Sequence, residues 1–167
     1  TLRVSVEQAD SKLNPLVTRV NPEYLVAELP YSSLTRLKVD MSAEPDLAES
    51  WANSADLTEW TFVLRKGLTF HDGSPCTSAD VVATFEAILD PKTASPARQN
   101  VGPVTKVAAK DETTVVFTLS APFADLPVTL AYLNAKIVPA AVIKGGLEKL
   151  DREAIGTGPF KLVSFEP

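Results

Sequence analysis

His71, Asp72 and Cys76 lie close together in the chain, and together they carry the residue types of a nucleophilic centre or a metal site. An imidazole can take the proton of a nearby thiol, and imidazole, thiolate and carboxylate are all metal ligands. A nucleophilic centre also needs a third group that orients the base inside a cleft, and the spacing marks none. Asp72-Gly73 is turn chemistry, and a lone packed histidine accounts for the remaining letters. The expectation is therefore a structural His71 and Cys76, with a hydrolase using either residue as the rival from a different class.

Gly156 and Gly158 are spaced like two glycines of a phosphate-cradling loop. Such loops follow a strand and open a helix whose N-terminus faces the anion. Here the third glycine is missing and Pro159 leads into an alternating stretch, so a turn entering a strand is expected. Trp51, Trp60, Phe62, Phe70 and Phe85 could line an aromatic pocket. Their places on an alternating strand and an amphipathic helix read as core.

These residues must be held by short elements, because thirteen prolines leave little room for long helices. Residues 2–7 alternate and read as a strand, followed by a loop over 8–15. Asn21-Pro22-Glu23 starts a helix whose apolar side carries Tyr24, Leu25, Leu29 and Leu34, interrupted by Pro30. Residues 34–39 read as a short strand, 46–51 as one or two helical turns, and 60–65 as a strand. Thr77 and Asp80 form a capping-box pattern before a helix that places Val81, Phe85, Ile88 and Leu89 on one face and stops at Asp90-Pro91. After a polar, Pro-rich loop over 91–103 come two strands, 104–109 and 114–119, a hairpin around Lys110-Asp111-Glu112. A short helix over 124–131, a strand over 135–138, a helix over 139–144 stopped by Gly145-Gly146, and a strand over 160–165 complete the reading. The fold is mixed α and β with antiparallel hairpins.

Composition sets limits on partners. With 45% hydrophobic and 22% charged residues, the 167-residue chain has the balance of a globular domain with a real core. The net charge of −5 and scattered lysines and arginines give no basic stripe for phosphates, so neither nucleic acid nor an anionic membrane surface is expected as a partner. No apolar run approaches the roughly 18 residues that span a bilayer. The single Cys76 excludes an internal disulfide and a multi-cysteine metal site. The chain opens on an alternating stretch without a start Met, as a mature or trimmed N-terminus would, which is compatible with export.

Five segments, in order, carry a resemblance. They are Pro45 through Trp51, Trp60 through Pro75, Thr77 through Val82, Asp111 through Leu119, and Gly156-Thr157-Gly158-Pro159-Phe160-Lys161-Leu162. Together they resemble the family 5 extracellular solute-binding proteins of ABC importers, the class that carries peptides, nickel and related solutes. The resemblance implies a class II periplasmic-binding-protein-like α+β fold, of which this chain is the N-terminal part of lobe I. Residues 1–40 would be the first segment of the main sheet of that lobe, 41–152 its extra subdomain, and 153–167 a strand returning to the main sheet, with the second lobe absent.

The implied function is an extracytoplasmic, non-enzymatic receptor, periplasmic or membrane-anchored outside a Gram-positive cell. It would capture a small peptide or related solute and deliver it to the ABC transporter permease subunits, without a cofactor. A receptor for a nickel or other metal chelate, or for haem, is the alternative. Cleft-facing candidates implied by the resemblance are Gln8, Asp10 and Leu13 in the loop after the first strand, Arg98 and Asn100 in the Pro-rich loop, and Tyr132 and Asn134. Arg98 would offer a guanidinium to a ligand carboxylate, and Tyr132 and Asn134 a phenol and an amide. A solvated loop accounts for Arg98 equally well.

Overall fold

The computed structural model describes residues 12–19 and 21–164. Helix α1, Asn21–Ala27, opens on the Asn-Pro-Glu start and ends short of Pro30. A two-stranded antiparallel hairpin follows, β1 (Thr35–Leu37) with β2 (Ala43–Pro45). Then comes a four-stranded antiparallel sheet built from β3 (Ala48–Asn53), β4 (Glu59–Leu64), β5 (Val104–Ala109) and β6 (Thr114–Leu119), in the spatial order β3-β4-β6-β5. Between β4 and β5 the chain forms α2 (Ser78–Leu89), a single 3-10 turn (Pro91–Thr93) and α3 (Ala97–Asn100). After β6 come α4 (Leu126–Thr129), α5 (Ala140–Gly145) and a second 3-10 turn, Leu147–Asp151.

The core lies between the sheet and α2. Alternation in β4 sends Trp60, Phe62 and Leu64 inward, and β6 does the same with Val115, Phe117 and Leu119. From α2, Val81, Phe85 and Ile88 reach down onto them, while Leu89 packs at the margin. The contact is aromatic at its centre: the Phe117 ring meets Phe85 edge-on at 4.9 Å between centroids and Phe62 edge-on at 5.4 Å. Trp60, Phe70 and Phe85 are buried and Trp51 is half-buried, so these aromatics pack as core. The capping box forms as the letters indicate. Thr77 Oγ1 accepts from the Ala79 N–H, and the Asp80 carboxylate accepts from the Thr77 N–H at 2.8 Å. The second Asp80 oxygen accepts from the Ala140 N–H, which ties the start of α2 to the start of α5.

Several local expectations are corrected. Residues 46–51 are not helical: Ala48–Asn53 pairs with β4, with Trp51 opposite Phe62, after an irregularity between Ala48 and Ser50. Asp46 is no helix start, since its carboxylate accepts the Ser33 N–H. The stretch over 135–138 forms no ladder among the described residues, and Ile137 donates a backbone bond to Ser32. Residues 160–164 likewise form no strand among the described residues; Phe160 donates to the Leu29 carbonyl. On α1 the expected apolar side is partly outward, with Leu25 63% and Leu29 45% exposed. The 2–7 strand lies outside the described residues. No helix among the described residues is long and apolar enough to cross a membrane.

Candidate functional site: a fastened loop facing the 94–100 turn

The most elaborate polar construction in the fold holds the loop over 13–19. Leu13 is buried and its N–H donates to the Asp151 carbonyl. Asn14 is buried beside it, accepting from Leu16 N–H and donating to the Leu147 carbonyl. Asn134, with no exposed surface, donates through its amide nitrogen to both Pro15 O at 2.7 Å and Thr18 O at 3.0 Å. The Tyr24 hydroxyl donates to the same Thr18 carbonyl, and the Thr18 hydroxyl donates to the Glu23 carboxylate. Burial and then the neighbouring Tyr132 push the Tyr24 phenol above its ordinary pKa, so it stays a neutral donor.

The loop so fixed presents Arg19, whose Nη2 donates to the Ala94 carbonyl at 2.7 Å. Ala94 accepts it from a left-handed turn, φ +52°, at the end of the 3-10 turn. Around this bridge lies a cavity of about 460 Å³ lined by Arg19, Ser95, Pro96, Arg98, Gln99 and Asn100. Arg98 and Asn100 are exposed on α3, and the Asn100 amide donates to the Pro96 carbonyl at 2.9 Å.

Sequence-derived candidates thus fall into three groups. Arg98 and Asn100 share one cavity. Tyr132 is half-buried near Tyr24, while Asn134 and Leu13 lie beneath the loop as its supports. Gln8 and Asp10 lie outside the described residues. Arg19 was not singled out by sequence, since its partner Ala94 lies 75 residues away and no local pattern links them.

The His71 and Cys76 pair has a different geometry from a nucleophilic centre. His71 Nε2 lies 2.8 Å from the Gly158 carbonyl, which only accepts, so Nε2 carries the proton. Cys76 is buried, and burial followed by the nearby Asp80 charge pushes its thiol up to about 12, leaving no thiolate at neutral pH. Among the described residues no group of three or more His, Cys, Asp or Glu side chains is placed to hold a metal.

The His71 turn instead grips the Gly156-to-Lys161 segment. His71 N–H donates to Gly156 O, and Lys161 Nζ donates to His71 O. From the other side Gly158 N–H donates to Pro30 O. A methyl at Gly156 would run into the Pro30 carbonyl and the Tyr31 ring, and one at Gly158 into the Leu29 carbonyl. The glycines therefore serve close backbone packing rather than phosphate binding.

Residues 42–167 match the family model described as bacterial extracellular solute-binding proteins, family 5 Middle. The chain belongs to this solute-binding protein family 5. Among curated relatives of this family 5 member, the probable D,D-dipeptide-binding periplasmic protein DdpA of Escherichia coli (strain K12) is 37% identical, over 92% of this chain and 31% of that protein. Among solved structures, the PBP AgaA in complex with agropinic acid, from A. tumefacien R10, superposes with a TM-score of 0.86 at 36% identity, over 93% of this chain and 32% of that one. NikZ from Campylobacter jejuni in complex with Ni(L-His) gives 0.85 at 29% identity, over 96% and 32%. The family 5 chain described here thus spans about a third of the length of the proteins it matches.

Proposed function

We propose that this chain forms part of an extracytoplasmic receptor that captures a small peptide or related amino-acid-derived solute and passes it to the permease subunits of an ABC importer. The observation that carries this reading is the cavity between the fastened 13–19 loop and the 94–100 turn. It is open and polar, Asn134 fastens the loop on one side of it, and in this reading it serves as one wall of a binding cleft. Such clefts gain affinity by burying a solute between two walls, and this cavity is a single one. In this reading Arg98, Asn100 and Tyr132 face the solute, and Leu13 and Asn134 hold the loop from beneath; Gln8 and Asp10 would face the solute as well. Residues 1–40 and 153–167 would belong to the main sheet of one lobe, and 41–152, which contains all four strands of the described sheet, to its extra subdomain.

A receptor performs no chemistry, and the buried, protonated Cys76 and backbone-bound His71 support that part of the reading. Kinship with DdpA and AgaA favours a peptide or opine-like solute, whereas kinship with NikZ favours a metal chelate that brings its own ligands. The test is native mass spectrometry of the 167-residue chain and of the longer protein that contains it, each mixed with a pool of dipeptides, opines and nickel–histidine. We expect only the longer protein to retain a solute, whose mass names the class. Tight retention by the short chain would overturn the split-cleft reading, and turnover abolished by Cys76→Ala would overturn the receptor.

A further inference from the structure

We infer that the cavity around Lys136 and Asp46 is a second small-molecule site, which takes an aliphatic α-amino acid as its zwitterion, with the carboxylate on the Lys136 ammonium and the α-ammonium on the Asp46 carboxylate. The site shares no lining residue with the 94–100 cavity and does not depend on what that cavity binds. It measures about 430 Å³ and lies where distant parts of the chain meet. Glu28 through Leu37 supply one side, Asp46 and the 131–136 stretch another, and Pro159 a third. Junctions of this kind are favoured places for small-molecule sites.

Lys136 is only 4% exposed, and lysines are almost never buried unless fully paired. Its Nζ lies 2.7 Å from Glu28 Oε1, on a side chain that is itself 44% exposed. That contact uses one of the three ammonium donors, and the others are left for an acceptor in the cavity. Asp46 is the complement. Its carboxylate accepts the Ser33 N–H at 3.2 Å, and burial pushes its pKa up, although that bond and the Lys136 and Arg36 charges pull it back. Folding moves Asp40, Asp56, Asp72 and Asp111 the other way. An ammonium brought by a solute supplies the counter-charge that Asp46 lacks. Arg36 lines the cavity too, but Glu44 holds its Nε at 2.7 Å. A zwitterion satisfies both centres, whereas an amine alone meets the Lys136 charge and an acid alone meets those of Asp46 and Glu28. Leu37, Leu133 and Pro159 line the remainder, which suits an aliphatic side chain.

The test uses the longer protein that contains this chain, with L-leucine, its amine analogue 3-methylbutylamine and its acid analogue 4-methylpentanoate. Calorimetry and saturation-transfer NMR read the three affinities. Leucine should bind about tenfold or more tighter than either analogue, since each analogue loses one charge-assisted hydrogen bond. Asp46→Asn should remove the preference over 4-methylpentanoate, and Lys136→Met the preference over 3-methylbutylamine. Circular dichroism serves as the fold control. Asp46 is half-buried, and asparagine keeps an oxygen for the Ser33 N–H, so Asp46→Asn decides the matter if Lys136→Met does not fold. A wild type that binds no leucine would overturn the site, as would equal affinity for all three probes. Leucine binding that survives Asp46→Asn undiminished would overturn it as well, and its loss in Arg98→Gln would then place the amino acid in the 94–100 cavity.

Discussion

Asp40, Asp56, Asp72 and Asp111 each sit two residues ahead of a serine or threonine and accept its backbone N–H. These are turn-locking carboxylates, and in each the ionised form is the one that accepts. For Asp72 the Ser74 hydroxyl and then its N–H hold the carboxyl below its ordinary pKa, and Ser42 does the same for Asp40. A carboxyl whose pKa is lowered by folding adds stability above its unfolded value, and that contribution is lost as pH falls through the folded one. The urea midpoint should therefore drop from about pH 4 downward. Asp40→Asn and Asp72→Asn together should flatten that acid limb, and a limb of unchanged steepness would contradict the assignment. Turn residues of this kind are legible in sequence because donor and acceptor are two positions apart. Arg19 was not legible, because its hydrogen bond to Ala94 exists only once the chain has folded.

Helix α2 was readable for the same reason as the turns: its cap, apolar stripe and Asp90-Pro91 stop are all local. Its cap also has a reach that sequence does not reveal, since Asp80 accepts both the Thr77 N–H and the Ala140 N–H. Thr77→Ala should cost about 1 kcal/mol, the usual value of a lost N-cap. Asp80→Ala should cost more, because it also orphans the N–H that opens α5. Chemical denaturation of both variants checks the order, and equal losses would mean that the Ala140 bond contributes nothing. The strand β3 shows the converse case. Residues 46–51 read as one or two helical turns in sequence, yet pairing with β4, with Trp51 opposite Phe62, decides the outcome. The stretch over 160–164 reads as a strand in sequence but meets no ladder among the described residues, because a strand-like pattern marks a face without supplying a partner.

At the scale of the molecule, the fold class and family were legible only through motifs taken together, in order along the chain. Periodicity alone reached no further than mixed α and β. The signature turn at Gly156 is where the distant parts meet, threaded between Pro30 and the His71 turn. Gly156→Ala should destabilise by about 2 kcal/mol or more, since its methyl meets backbone that cannot move aside. Gly67→Ala is the control: that glycine has φ +72° but open space around it, so only the backbone strain of about 1 kcal/mol should register. Losses of equal size would show that close packing at Gly156 is not what the turn requires.

The same threading imposes an order in time. During synthesis, all four strands of the sheet and helix α2 leave the ribosome before Gly156 does, so the body they form can assemble first. The bonds from Gly158 to Pro30 and from His71 to Gly156 close only afterwards, across a long stretch of chain. The nascent protein therefore passes through a stage in which the four-stranded sheet and α2 are complete while the Pro30 carbonyl still waits for the Gly158 N–H.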